Sequence, residues 1–314
     1  MDSTDAATDV GYLRAGSRRK PLATPGAGDA GPAHPRTIMI CADDYALSRG
    51  IGIAIRRLAG AGRISAASCL VTSPLWPDEA ALLRPCFGRI DVGLHLSFTY
   101  PPPLGRLPSL GPAMQAPSVG GLLWRSLLGR IDGTEVAEEV ERQIDRFVAV
   151  TGRLPDFIDG HHHVHILPGI REAVVAAFAR RLQGTGAWLR LPPRPLADVP
   201  AHWRLATPGA AAIALLGLGL ARLAASRRIP VNEGMRGIRR FINDPPYARL
   251  LARFLCGLDH RGLIICHPGI SLDEVIPTRH PMAARRDEYL YLMSEAFPLL
   301  LQSSGCRLGR FAEC

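Results

Sequence analysis

The segment DGHHHVH at residues 159–165 places four histidines and an aspartate within seven positions. On an extended strand alternate side chains share a face, so Asp159, His161, His163 and His165 are expected on one side and His162 and Val164 on the other. Three imidazoles and a carboxylate on one face do not pack a core. Neutral imidazole is a common metal ligand, and its second ring nitrogen needs an orienting acceptor. The spacing is neither that of a Cys/His finger nor that of a helical HExxH site. Three further places offer related chemistry. Asp43-Asp44 follows the apolar run 38–42. One such carboxylate can bind a metal while the other stays a base, although Asp pairs also cap helices and turns. His95, inside VGLHLSFT, is either a ligand or a buried histidine with satisfied nitrogens. His267 ends the run LIICH before Pro268-Gly269, as a general acid or base or as a plain turn residue. Jointly the set describes a divalent metal held by carboxylate and imidazoles, with one carboxylate and one imidazole left for proton transfer. That is the equipment of metal-assisted hydrolysis.

These groups need strands to carry them. Short apolar runs predict strands at 38–42, 64–72, 90–96, 156–166, 188–191, 262–267 and 308–311, and residues 238–243 form a further short segment. Helical periodicity predicts helices at 50–61, capped by Ser48, and at 78–84, 134–150, 168–182, 209–226, 247–258 and 284–304. Residues 100–121, with six prolines and four glycines, read as a long loop. Strands alternating with helices imply a parallel sheet with crossover helices, and polar clusters on several strand ends favour closure into a barrel. The strand ends near 42, 95, 165 and 267 are then expected to share one mouth. Residues 1–35, rich in Gly, Ala, Ser, Asp and Pro without periodicity, are expected to form a disordered tail ahead of one domain at 36–314.

Composition removes other classes. With 47% apolar and 21% charged residues over 314 positions, a large core forms and global disorder is excluded. Net charge is +9, but the 37 cations, all arginine except Lys20, are scattered singly or in pairs, which reads as a solvated surface more than as a nucleic-acid footprint. Aromatics at 6% argue against a base-stacking surface. Seven cysteines without a CxxC argue against a disulfide scaffold. The N-terminal residues contain no apolar core of a Sec signal. Residues 209–221 are apolar and uncharged, too short for a span of about 20 residues, and read as a buried or surface-lying helix.

The stretches ADDYALS, VGLHLSF, DGHHHVH and CHPG, in this order, resemble the motifs of the YdjC-like carbohydrate deacetylases, a group that includes chitooligosaccharide deacetylases and hopanoid-biosynthesis-associated proteins. The likeness spans about residues 37–312. It extends to VNEGMRG at 231–237 and to the last helix with Arg286, Glu288 and Ser294. The resemblance implies a distorted TIM-like (β/α) barrel, a divalent metal, Mg²⁺ with Zn²⁺ as the alternative, and removal of acetyl groups from N-acetylated sugars. It implies Asp44, His95 and His161 as metal ligands, Asp43 as general base and His267 as the group that assists the leaving amine. Asp159, His163, His165, Asn232 and Glu233 would make supporting or substrate contacts. The implied partner is an acetylated carbohydrate or glycolipid head group, not nucleic acid. A membrane surface and a second copy of the chain are further candidate partners, and the cytoplasm or the membrane periphery is the expected location. The family has Phe-Gly where Tyr45-Ala46 stands, so a loop that needs a left-handed glycine there would have to differ. Another metal-dependent hydrolase on the same barrel, an amidohydrolase or phosphoesterase, is the alternative. A non-enzymatic basic protein would have no use for DGHHHVH.

Overall fold

The computed structural model describes residues 35–111, 117–194, 208–239, 241, 244–270 and 281–314. The tail expected at 1–35 lies, but for its last residue, outside them. Among the described residues eight strands form one sheet: β1 (Arg36–Tyr45), β2 (Ala66–Cys69), β3 (Asp91–Leu96), β4 (Phe157–Gly160), β5 (Trp188–Leu189), β6 (Met235–Arg236), β7 (Leu263–Cys266) and β8 (Cys306–Leu308). The order is β5-β4-β3-β2-β1-β7-β6, every pair is parallel, and β8 extends the first residues of β1. The two ends of the sheet are joined. Leu189 bridges Val231 in parallel, its N–H donates to Pro230 O at 2.9 Å, and the Asn232 side chain bonds both backbone groups of Leu191. The result is a distorted barrel.

The helices are α1 (Arg49–Gly60), α2 (Trp76–Leu83), α3 (Val119–Leu127), α4 (Gly133–Thr151), α5 (Ile170–Arg181), α6 (Pro208–Ser226), α7 (Tyr247–Leu255), α8 (Met282–Met293) and α9 (Ala296–Ser303). Ser48 caps α1 by accepting from Ile51 N at 3.2 Å. The expected helix 284–304 is broken at Ser294, whose backbone is extended (ψ 160°), so its two halves are separate helices. Of the loop expected at 100–121, Leu104 and Gly105 are tied to α4, where buried Glu139 accepts from their backbone N–H groups at 2.7 and 2.9 Å, and α3 begins at Val119. No helix among the described residues is long and apolar enough to cross a membrane. All seven cysteines are free thiols.

Strand alternation organises the interior. Ile38, Ile40 and Ala42 face the helices, whereas Met39 and Cys41 join Ala66, Phe157, Trp188, Met235, Leu263 and Ile265 inside the barrel. Gly93 completes that inner layer, because a Cβ there would come within 2.4 Å of the Phe157 ring. Two residues further along each strand the inward series reads Asp43, Ser68, His95, Asp159, Arg190, Gly237 and His267. A period of two thus changes the interior from apolar to polar at the strands' C-terminal ends, where α/β barrels carry their sites.

Candidate metal and catalytic site

Asp43 continues the inward series of β1, but its neighbour would point outward on a regular strand. The register with β2 breaks between Ala42 and Tyr45, and Asp44 takes φ 69°. This irregularity turns both carboxylates into the mouth. Such backbone strain costs about 1–3 kcal/mol and recurs at functional sites. Ala46 follows at φ 72°, so the loop keeps a left-handed geometry and an alanine accepts it, in place of the different loop expected from Tyr45-Ala46.

Asp44 Oδ1 lies 2.9 Å from His161 Nδ1 and 3.6 Å from His95 Nε2, while Oδ2 takes a 2.6 Å contact from Arg285. The three donor atoms of Asp44, His95 and His161 fall within 4.8 Å of one another, and all three residues are buried. Asp44 Oδ1 is buried without a well-aligned hydrogen bond. On its far side, His95 Nδ1 meets Asp159 Oδ1 at 2.7 Å and Ser68 Oγ at 2.9 Å, the carboxylate–imidazole pairing that orients metal-bound histidines. An orphaned buried carboxylate oxygen facing two ring nitrogens fits a divalent cation. Electrostatics agree. Burial pulls the His95 imidazolium down, but Asp159 and Asp44 outweigh it and raise its pKa to about 10, so this position attracts positive charge. Burial would raise the Asp44 carboxyl, yet Arg285 and His161 hold it well below the usual carboxylate range.

A second acidic group, Asp43, His95 and Asp159, has comparable spacing. Arg190 already fills it, with Nη2 2.7 Å from Asp43 Oδ1 and 2.6 Å from Asp159 Oδ2, and Nη1 2.8 Å from Asp43 Oδ2. A fixed guanidinium between two carboxylates leaves no place for a cation, so of these two groups among the described residues the Asp44–His95–His161 cluster is the candidate ion site. His267 Nε2 stands 4.0 Å from Asp43 Oδ2 across a cavity of about 250 Å³ that is also lined by His161, His163, Arg239 and Phe241. Helix α8 holds this side. Glu288 accepts from His267 N and, at 2.6 Å, from Arg239, and Arg285 fastens Asp44.

DGHHHVH departs from the extended reading. β4 ends at Gly160, and His161–Ile166 form a tight turn in which His162 and His163 are left-handed, φ 55° and 58°. Asp159 and His161 share the inner face as expected, but His163 and His165 are placed by the turn instead. His163 reaches the cavity wall, and its buried Nδ1 has no hydrogen-bond partner among the described residues. His165 is fully buried, its Nε2 3.1 Å from Arg190 O. Burial first, then neighbouring His165 and Arg190, push His163 well below its ordinary value; burial brings His165 to about 4. Both rings are therefore neutral near pH 7.

Asn232 and Glu233, expected in substrate or supporting contacts, are not among the residues that line the cavity. Asn232 is spent on the seam, bonding Leu191 and Gly234 backbone groups. Glu233 is exposed, and its N–H meets Arg261 O ahead of β7, away from the mouth. In α8 the residue that reaches the site is Arg285, while Arg286 faces solvent. Sequence reasoning missed Ser68, Arg190 and Arg285. A count of two from the inner apolar layer finds Ser68 and Arg190; nothing local marks Arg285.

The signature of the YdjC-like protein family matches residues 37–303. A chitooligosaccharide deacetylase of Yersinia pestis (strain Pestoides F) is 31% identical over 284 residues, 89% of this chain and 99% of its own length. The protein of that name from Yersinia pseudotuberculosis serotype O:1b (strain IP 31758) matches equally. An Enterococcus faecalis V583 crystal structure, for whose protein cleavage of cellobiose phosphate has been suggested, aligns at TM-score 0.64 and 20% identity over 89% of this chain and 98% of that one, a likeness of fold. Motif order, barrel topology and a match over most of the sequence lead to one assignment: the chain belongs to the YdjC-like family.

Proposed function

We propose that the chain is a metal-dependent deacetylase that hydrolyses the N-acetyl group of an amino sugar, in an oligosaccharide or a glycolipid head group, and releases acetate. The observation that carries this reading is the Asp44–His95–His161 cluster, whose two histidines line the same cavity as Asp43 and His267, in a relative of proteins named chitooligosaccharide deacetylases. A divalent ion held by Asp44, His95 and His161 would polarise the amide carbonyl and acidify water. Asp43, oriented by the Arg190 fork, takes the proton from the attacking water. His267, held from the backbone by Glu288, protonates the departing nitrogen. His163, on the cavity wall, contacts the sugar. Mg²⁺ is what the family resemblance implies, but two imidazoles with one carboxylate favour Zn²⁺ or a similar ion over Mg²⁺, which prefers oxygen donors. The Arg190 clamp on the second acidic group speaks against a two-ion phosphoesterase. Residues 36–314 act as the catalytic domain, in the cytoplasm, with residues 1–35 as an appended tail.

The test is acetate release from N-acetylated chito-oligosaccharides, before and after chelation and after return of Zn²⁺ or Mg²⁺. Loss on chelation and recovery with one ion is the expected result. Turnover unaffected by complete metal removal, or no acetate from any acetylated sugar, would overturn the proposal.

A further inference from the structure

Around the cavity mouth the surface turns apolar. α3 contributes Val119 and α6 contributes Ile213 to the cavity wall. On their outer sides Trp124 is 62% exposed and Leu215 61%, with Leu127, Leu128 and Leu218 also open to solvent. Both helices flank the same segment: Ser126 Oγ donates to Pro168 O at 2.7 Å, and the Arg171 guanidinium lies against Gly219, where a Cβ would approach it to 2.0 Å. Charge follows the same boundary. Residues 99–131 and 208–226 contain no Asp or Glu; their charged residues are Arg106, Arg125, Arg130 and Arg222.

We propose that this rim docks on an anionic lipid bilayer, with Trp124 and the leucines at headgroup depth and the arginines against lipid phosphates. Exposed tryptophan favours the membrane interface, because its ring has an apolar body and a polar N–H. An apolar stripe whose own charged residues are all arginine is the composition of a surface-lying amphipathic element. Anionic headgroups supply the counter-charge that the rim lacks. A second copy of the chain would instead bring arginine against arginine. The cavity then opens toward the bilayer. That this delivers a lipid-anchored amino sugar rests on the deacetylase reading; the docking itself is measured without turnover.

The experiment is sedimentation of the full chain with vesicles of mixed phosphatidylglycerol and phosphatidylcholine, and with phosphatidylcholine alone. Binding to the mixed vesicles is expected to be at least about tenfold stronger and to fall as salt is raised toward about 1 M. Trp124→Glu with Leu215→Glu should weaken it by about tenfold or more while leaving hydrolysis of a soluble acetylated oligosaccharide unchanged. Arg130→Gln with Arg222→Gln, a milder pair, should lower only the anionic preference. Equal binding by wild type and both double variants, or no vesicle binding at low salt, would overturn the proposal. So would light scattering in which Trp124→Glu/Leu215→Glu dissociates a dimer without altering vesicle binding. Vesicle binding as expected, with no turnover of any acetylated sugar, would sink the deacetylase reading and leave the docking standing.

Discussion

The two ends of the barrel interior use the same strands and the same alternation, yet they treat buried carboxylates in opposite ways. At the mouth the three site carboxylates each face a guanidinium: Asp43 and Asp159 share Arg190, and Asp44 has Arg285. At the floor Asp91 takes its hydrogen bonds from neutral donors, Trp188 Nε1 at 3.2 Å and Phe311 N at 2.9 Å. Burial pushes the Asp91 carboxyl up to about 6. The same burial acts on Asp159, but Arg190 and His95 keep it below the ordinary value. Desolvation is thus common to both ends, and a fixed countercharge decides whether an acid stays ionised and able to serve a cation. The floor acid works as a latch, holding the C-terminal Phe311 segment to β3 and β5.

Breaking the mouth should have the largest effect. Asp44→Asn or His161→Ala removes an ion donor, and both metal content by mass spectrometry and acetate release should fall to background. Asp43→Asn should keep the metal and lower turnover by about 10² to 10⁴. Retained turnover, or metal loss equal to that of Asp44→Asn, would remove Asp43 from the base role. Arg285→Met strips the countercharge from Asp44 Oδ2, and metal affinity by calorimetry should drop about 10- to 100-fold; unchanged affinity would mean that countercharge is not what keeps the mouth ready.

The floor sharpens the contrast through pH. The folded-state value of Asp91 lies above the ordinary one. Its contribution to stability is therefore full below about pH 4 and is lost as pH rises through about 6. Asp91→Asn keeps an acceptor for both donors and removes the titration. Relative to wild type it should gain about 2 kcal/mol between about pH 4 and pH 8, read from denaturant unfolding; a pH-independent difference would refute the latch's electrostatics. The smallest effect is expected at Ala46, whose left-handed backbone glycine would relieve. Ala46→Gly should raise stability by about 0.5–1 kcal/mol with activity unchanged.

Much of the site can be read from the sequence because strand periodicity is local. Apolar runs of four to six residues mark buried parallel strands, and the polar residue that ends each run sits at the mouth. That reasoning reaches Asp43, His95, Asp159, His161 and His267, and the alternation of strands and helices yields the parallel barrel. Closure is another matter. β5 and β6 are two residues each, and their joining through Pro230, Val231 and Asn232 depends on segments 41 residues apart meeting in space. The turn at His161–Ile166 was equally hidden. Left-handed His162 and His163 are unfavourable locally and hold only because the packed barrel surrounds them. Arg190 and Arg285 reach carboxylates 147 and 241 residues away. The sequence by itself determined which residue types stand at the strand ends, since side-chain alternation acts between neighbours. Tertiary structure alone decided which carboxylate received a countercharge and which imidazoles faced the ion, because charge pairing in a desolvated interior depends on distance through space and not on separation along the chain.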